Sequence, residues 1–167
     1  MLLSGESDAN DTVARVRRNL LFGGVFDDEF RERSSVFFEH MHRRAFVMVV
    51  SDVVVRELAG APSRVRALGE KMLPLAEMVP VTQEALALRD AYLSAGVLPP
   101  PASNDALHIA LATVSGCGMI ASWNFKHIVN YRRIPRFNAV NALNGYPGIM
   151  IHSPLEIVGN EDETETL

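Results

Sequence analysis

Three oxygen-bearing side chains fall where apolar runs give way to helical patterns, and their types suit one kind of chemistry. Asp105 falls in the first turn of a helix expected after Pro99-Pro100-Pro101, Glu57 in a helix expected after the run ending at Val50, and Asn124 just beyond the run ending at Ser122. Carboxylate and amide oxygens gathered in one cleft bind a hard divalent cation such as Mg2+ or Mn2+, not a soft one. Taken singly, each residue has a plainer use. Asp105 would complement a helix dipole, Glu57 would be a solvated helical charge, and Asn124 would shape a turn. His108, three residues after Asp105, lies on the same helical side, which permits a shared metal site or a hydrogen bond, while the plainer expectation is a satisfied, partly buried histidine.

Lys126, His127, Arg132, Arg133 and Arg136 gather after Asn124 and read either as a phosphate-contacting strip or as a solvated face. His42, Arg43 and Arg44 read as edge protection or helix C-terminal charge. Trp123 has the chemistry to stack on a base, but its place beside an apolar strand end favours packing. Gly23-Gly24 lacks the spacing of a dinucleotide or P-loop signature, so a tight turn suffices. No Ser-His-Asp or Cys-His arrangement has supporting context, which leaves nucleophilic catalysis without a basis.

The elements that must position these residues alternate. Ala45 to Val50 is an unbroken apolar, β-branched run followed by Ser51-Asp52, the pattern of a doubly covered parallel strand entering a capped helix. Met119 to Ser122 reads the same way. Helices are expected near Val53–Ala59 and Ser63–Leu73, a short strand around Met78–Thr82, and a helix over Gln83–Ala95. After the prolines, Ser103 and Asn104 are expected to cap a helix running to about Ser115. A further helix is expected around Phe137–Leu143, with a last strand over Gly148–His152. Alternation of this kind predicts an α/β fold with a mostly parallel sheet, helices on both faces, and ligands at the carboxyl ends of the strands.

Composition sets the bounds. With 167 residues and 48% hydrophobic content, the chain can bury one sizeable core, expected over residues 15–158. Residues 1–14 and the acidic ending 159–167 have little to bury and are expected to be disordered. Apolar runs stay far below the roughly 20 residues a membrane span requires, so no membrane association and a cytoplasmic location are expected. Cys117 is the only cysteine and reads as a small buried apolar residue, excluding an internal disulfide or thiolate cluster. A net charge of −4 gives no whole-molecule attraction to nucleic acid, so such binding must rest on local patches.

Two longer words sharpen this reading. Asn104-Asp105-Ala106-Leu107-His108-Ile109-Ala110 and Ser122-Trp123-Asn124-Phe125-Lys126-His127-Ile128-Val129-Asn130 resemble words of the PIN-domain family, in its VapC-like toxin branch. Arg56-Glu57-Leu58 with Gly60-Ala61-Pro62, and Phe137-Asn138-Ala139-Val140-Asn141 with Gly145-Tyr146-Pro147, are similar to the same branch and occur in the same order. The resemblance runs over about residues 20–158. It implies a three-layer fold and a metal-dependent endoribonuclease in which acidic residues hold Mg2+ or Mn2+ against an RNA phosphodiester. By the same resemblance Glu57 and Asp105 are metal-site carboxylates, and Asn124 takes the place where many relatives carry a further acid. A small antitoxin protein and a homodimer are the partners it implies.

At the N-terminus the chain departs from that pattern. The family's first strand is an apolar run ending in an Asp-Thr-Asn or Asp-Thr-Ser word, and here Arg17 or Arg18 stands where that Asp belongs. Burying the guanidinium groups of Arg15, Arg17 and Arg18 unpaired would be prohibitive, so the strand is lost, displaced, or formed by other residues such as Asn19 to Phe22. Asp11-Thr12 is preceded by residues that make no strand, and Asp27 and Asp28 read as an exposed turn opening a helix over Glu29–His40. The departure opens an alternative: a catalytically impaired module that still binds RNA or antitoxin.

Overall fold

Short apolar words spaced between helices build the sheet, in a computed structural model that describes residues 19–22 and 47–159. The expectations for Asp11-Thr12, Val13 to Arg18, Gly23-Gly24, Asp27, Asp28, the helix over Glu29–His40 and His42 to Arg44 lie outside the described residues, as does the ending after Gly159. The first described strand is β1 (Asn19–Phe22), one of the alternatives left open for the degraded N-terminal segment. It lies at the centre of a five-stranded sheet in the order β3-β2-β1-β4-β5. Its neighbours are β2 (Val47–Ser51), with Leu21 opposite Val49, and β4 (Met119–Ala121), with Leu21 opposite Ile120. The edges are β3 (Glu77–Val79) beside β2 and β5 (Met150–His152) beside β4. Every pairing is parallel, which explains the unbroken apolar character of β2 and β4: side chains must be buried on both faces.

Helices fill the connections. Ser51 ends β2 and caps α1 (Asp52–Ala59), its hydroxyl accepting from the Val54 N–H at 3.4 Å. Helix α2 (Ser63–Met72) follows Pro62 and leads through a 3-10 turn to β3. Thr82 caps α3 (Gln83–Ser94), accepting from the Ala85 N–H at 3.2 Å. After the prolines comes α4 (Ser103–Val114), then β4, α5 (Ile134–Leu143), β5 and α6 (Pro154–Gly159). Helix α4 is buried all round: every residue from Ala106 to Thr113 is inside, packed between α3 on one side and β1 and β4 on the other. Gly116, at φ 70°, takes the left-handed conformation that ends α4 and turns the chain into β4.

Several boundaries differ from the sequence expectation. The strand expected over Met78–Thr82 lies at Glu77–Val79, since Pro80 has no N–H to extend the ladder. Ser103 and Asn104 do not cap α4 but lie inside it; the 3-10 turn Pro100–Ala102 feeds the helix and no side chain caps it. Helix α5 begins at Ile134, three residues before Phe137, because Pro135 is tolerated at a helix start. The last strand is shorter than Gly148–His152, and α6 follows where no helix was expected. No helix among the described residues is long and apolar enough to cross a membrane.

The core joins the helices through one polar knot. Tyr92 of α3, fully buried, packs edge-on against Phe137 of α5 at 5.1 Å between ring centroids. Its hydroxyl donates to the Asn141 side-chain oxygen and lies 3.5 Å from the Thr113 hydroxyl, so α3, α4 and α5 share one buried hydrogen-bonded group. Cys117 is buried, as its surroundings in sequence suggest, and burial pushes its thiol up to about 12. Trp123 is buried as well, which agrees with packing and not with an exposed stacking surface.

Candidate functional site

Strand order decides where a ligand can lie. The chain steps from β1 to β2 and β3 in one direction, then crosses back to β4 and β5 on the other side of β1. The carboxyl ends of β1 and β4 therefore flank a switch point, where the connections on either side leave a crevice. Asn124 lies three residues past the end of β4 at that edge. Its Nδ2 donates to Asp105 Oδ1 at 2.9 Å, tying the loop after β4 to the first turn of α4. Two further bonds hold Asn124 itself. Its N–H donates to the buried Ser122 hydroxyl at 3.1 Å, and its Oδ1 accepts from the His127 N–H at 3.0 Å. The amide is thus used on both sides, as a turn former and as a partner for the acid.

Glu57 comes from α1 and joins the group through His108. His108 Nε2 lies 3.1 and 3.2 Å from the two Glu57 carboxylate oxygens. The ring is 2% exposed, while the Glu57 side chain is 41% exposed, so the histidine anchors the carboxylate from the protein side and leaves its outer side to solvent. Sequence spacing permitted a contact of His108 with Asp105 and favoured a satisfied, partly buried histidine; His108 is buried, with its Nε2 satisfied. Its partner is Glu57, and Asp105 is held by Asn124. A carboxylate only accepts, so the Nε2 proton is donated to it. Among the described residues His108 Nδ1 has no hydrogen-bond partner, an arrangement that costs about 1–3 kcal/mol. An apolar side chain would fill that place without the cost, which sets His108 apart from ordinary core.

Asp105 carries the electrostatic mark of a gathered site. Burial raises its carboxyl above the usual value; the charges of His127 and His108 pull it down, Glu57 pushes it up again, and the Asn124 hydrogen bond lowers it. Residues from α1, α4 and the loop after β4 therefore act on one carboxyl group. Of the positions singled out in the sequence, Asp105 and Asn124 are in direct contact, and Glu57 reaches Asp105 by its charge and by way of His108.

The basic residues after Asn124 divide. Arg133 Nη1 donates to the Lys126 carbonyl at 2.6 Å and to His127 Nδ1 at 2.8 Å, holding the loop to the start of α5. Arg132 folds over its neighbour Tyr131, 5.5 Å from the ring centroid, and Tyr131 is 75% exposed. Arg136 donates to the carbonyls of Ala95 and Gly96 and belongs to the scaffold. Sequence reasoning grouped His127 with the phosphate strip and missed its link to Asp105; the signal available was its spacing of three residues from Asn124.

The donor set fits a hard cation in kind: two carboxylates, one of them pushed up by burial and by the charge of the other, beside an amide. Among the described residues no group of three or more His, Cys, Asp or Glu side chains is arranged to hold a metal ion. The central strand Asn19–Phe22 carries no acid in its sequence. No protein-family model matches the chain, and no curated protein is significantly similar to it.

Proposed function

We propose that this chain is a PIN-like, metal-dependent endoribonuclease of the VapC-like toxin branch, hydrolysing RNA phosphodiester bonds at the edge formed by Asp105, Glu57 and Asn124. The observation that carries the proposal is the hydrogen bond from Asn124 to Asp105, which joins two sequence-distant words at the switch point of a parallel sheet. Strand order supports the architecture: right-handed crossovers would lay α1 and α2 on one face and α3, α4 and α5 on the other, giving three layers. The packing of α1 with α2, and of α3 with α4 and α5, agrees with that division.

Asp105 and Glu57 would hold Mg2+ or Mn2+. When bound, such an ion supplies a water of lowered pKa and neutralises charge on the phosphate oxygens. Asn124 holds the Asp105 carboxylate in place, and His108 does the same for Glu57. The partners proposed are an RNA substrate and a small antitoxin that covers the groove, in the cytoplasm, with a homodimer as the assembly.

A second reading is favoured by the absence of an acid in Asn19–Phe22: a catalytically impaired module that binds RNA or antitoxin. One experiment separates the two. A mixed RNA pool incubated with the full chain and Mn2+ or Mg2+ is expected to be cut, and Asp105→Asn is expected to abolish cutting. RNA bound but uncut at every metal concentration tried would establish the module instead.

A further inference from the structure

Arg133 fixes the chemistry of His127. A guanidinium has donors only, so the 2.8 Å contact from Arg133 Nη1 to His127 Nδ1 requires that nitrogen to accept. The ring proton is therefore carried by Nε2. Arg133 is itself anchored, since the same nitrogen donates to the Lys126 carbonyl at 2.6 Å. The backbone of His127 is bound to Asn124 Oδ1 at 3.0 Å, and Asn124 in turn donates to Asp105. The His127 backbone and the Asp105 carboxylate are thus held by opposite ends of one amide, while Arg133 holds the ring. The ring is half-buried, and His127 is among the residues that act on the Asp105 carboxyl. Among the described residues Nε2 makes no hydrogen bond, so a fixed donor backed by a cation lies near Asp105 with its proton unclaimed by any of them.

An anion delivered to that edge would meet this donor. Asp105 and Glu57 repel an anion, so a ligand must bridge a negative and a positive region, as a phosphodiester does when its oxygens divide between a cation and a hydrogen-bond donor. We propose that His127, locked by Arg133 in the Nε2–H form, donates a hydrogen bond to a non-bridging oxygen of the RNA phosphate at this edge, with Arg133 as its positioning residue. The inference rests on the nuclease reading and deepens it by adding a substrate-touching residue.

The test uses the full chain and a single-stranded RNA oligonucleotide with Mn2+. His127→Ala is expected to lower kcat on the order of a hundredfold with KM changed much less, because a donor aimed at developing oxyanion charge acts mainly in the transition state. His127→Gln, which places an amide N–H near the position of Nε2, is expected to recover part of that loss at an unchanged thermal midpoint. Arg133→Gln is expected to fall between wild type and His127→Ala. Imidazole 15N shifts should report the Nε2–H tautomer in the wild type and a mixture in Arg133→Gln. Cleavage by His127→Ala within twofold of wild type, or an Nδ1–H tautomer in the wild type, overturns the proposal and leaves the nuclease reading standing. If the chain binds the oligonucleotide without cutting it, the readout becomes affinity: about tenfold weaker binding by His127→Ala supports the contact, and equal binding overturns it. A chain that neither binds nor cuts RNA overturns both.

Discussion

Asp105 carries a penalty that bears on stability as well as chemistry. Its folded pKa lies above the unfolded value, chiefly from burial. The sign follows from linkage: its favourable contribution is complete below the unfolded carboxylate pKa and is lost as pH rises through the folded one. At neutral pH the ionised group therefore works against folding. Asp105→Asn, which keeps an oxygen to accept from Asn124, is expected to raise the thermal midpoint of the metal-free protein at neutral pH, with the gain shrinking as pH falls through the carboxylate range. Thermal melts of both proteins across that range check it; a variant less stable at neutral pH would contradict it. At this scale the sequence was partly legible. Asp105 and Asn124 stood at strand-to-helix junctions, and the alternating pattern was enough to bring them together. The His108–Glu57 pair was not legible, because spacing along α4 shows which residues share a side but not what α1 brings against them.

Helix α6 shows what an element's sequence contains and what was overlooked. Ser153-Pro154-Leu155-Glu156 is a capping box with proline at the first helical position. The Ser153 N–H and hydroxyl donate to Glu156 Oε2 at 2.6 and 2.8 Å, and the Glu156 N–H donates back to the Ser153 hydroxyl at 3.3 Å. The bond from the Ser153 backbone is the main cause holding the Glu156 carboxyl below its usual value. Ser153→Ala is expected to cost about 1 kcal/mol in denaturant unfolding. A depressed pKa gives stability that is present above the unfolded value and lost as pH falls through the folded one. The difference between wild type and Glu156→Gln, which removes the charge on that acceptor, should therefore narrow in acid, and a constant difference down to low pH would refute this account. The helix escaped notice because its few residues carry too little periodic pattern, although the cap alone announced it. Helix α4 gave the opposite problem. Ser103 and Asn104 have the side chains of caps, yet the preceding prolines already turn the chain into a 3-10 entry and leave them inside the helix.

Across the molecule, the buried hydroxyl of Tyr92 links three helices. Burial raises it from 10.0 to about 12. Its contribution is complete below pH 10.0 and is lost as pH rises through about 12, so the wild type should lose stability steeply across that interval. Tyr92→Phe strands the Asn141 oxygen and is expected to cost about 1–3 kcal/mol at neutral pH. The variant should also show a shallower alkaline decline, and equal slopes in denaturant titrations at alkaline pH would argue against the assignment. The sheet's parallel character was legible, because buried-on-both-faces strands need continuous apolar words. The place of the central strand was legible only as one alternative among several, since Asn19–Phe22 stands in a region whose charged neighbours give no clean pattern.

Asp105 and His108 ride on α4, whose residues from Ala106 to Thr113 are buried on every side. Segments of that kind release their amide protons only when the entire domain opens. Local melting of α4 is therefore no ready way to silence these two side chains while the rest of the fold persists. On the proposed reading, control would fall to obstruction from outside: a ligand or protein laid over Asp105 and Glu57 would mask the acids while their supporting helix remains intact.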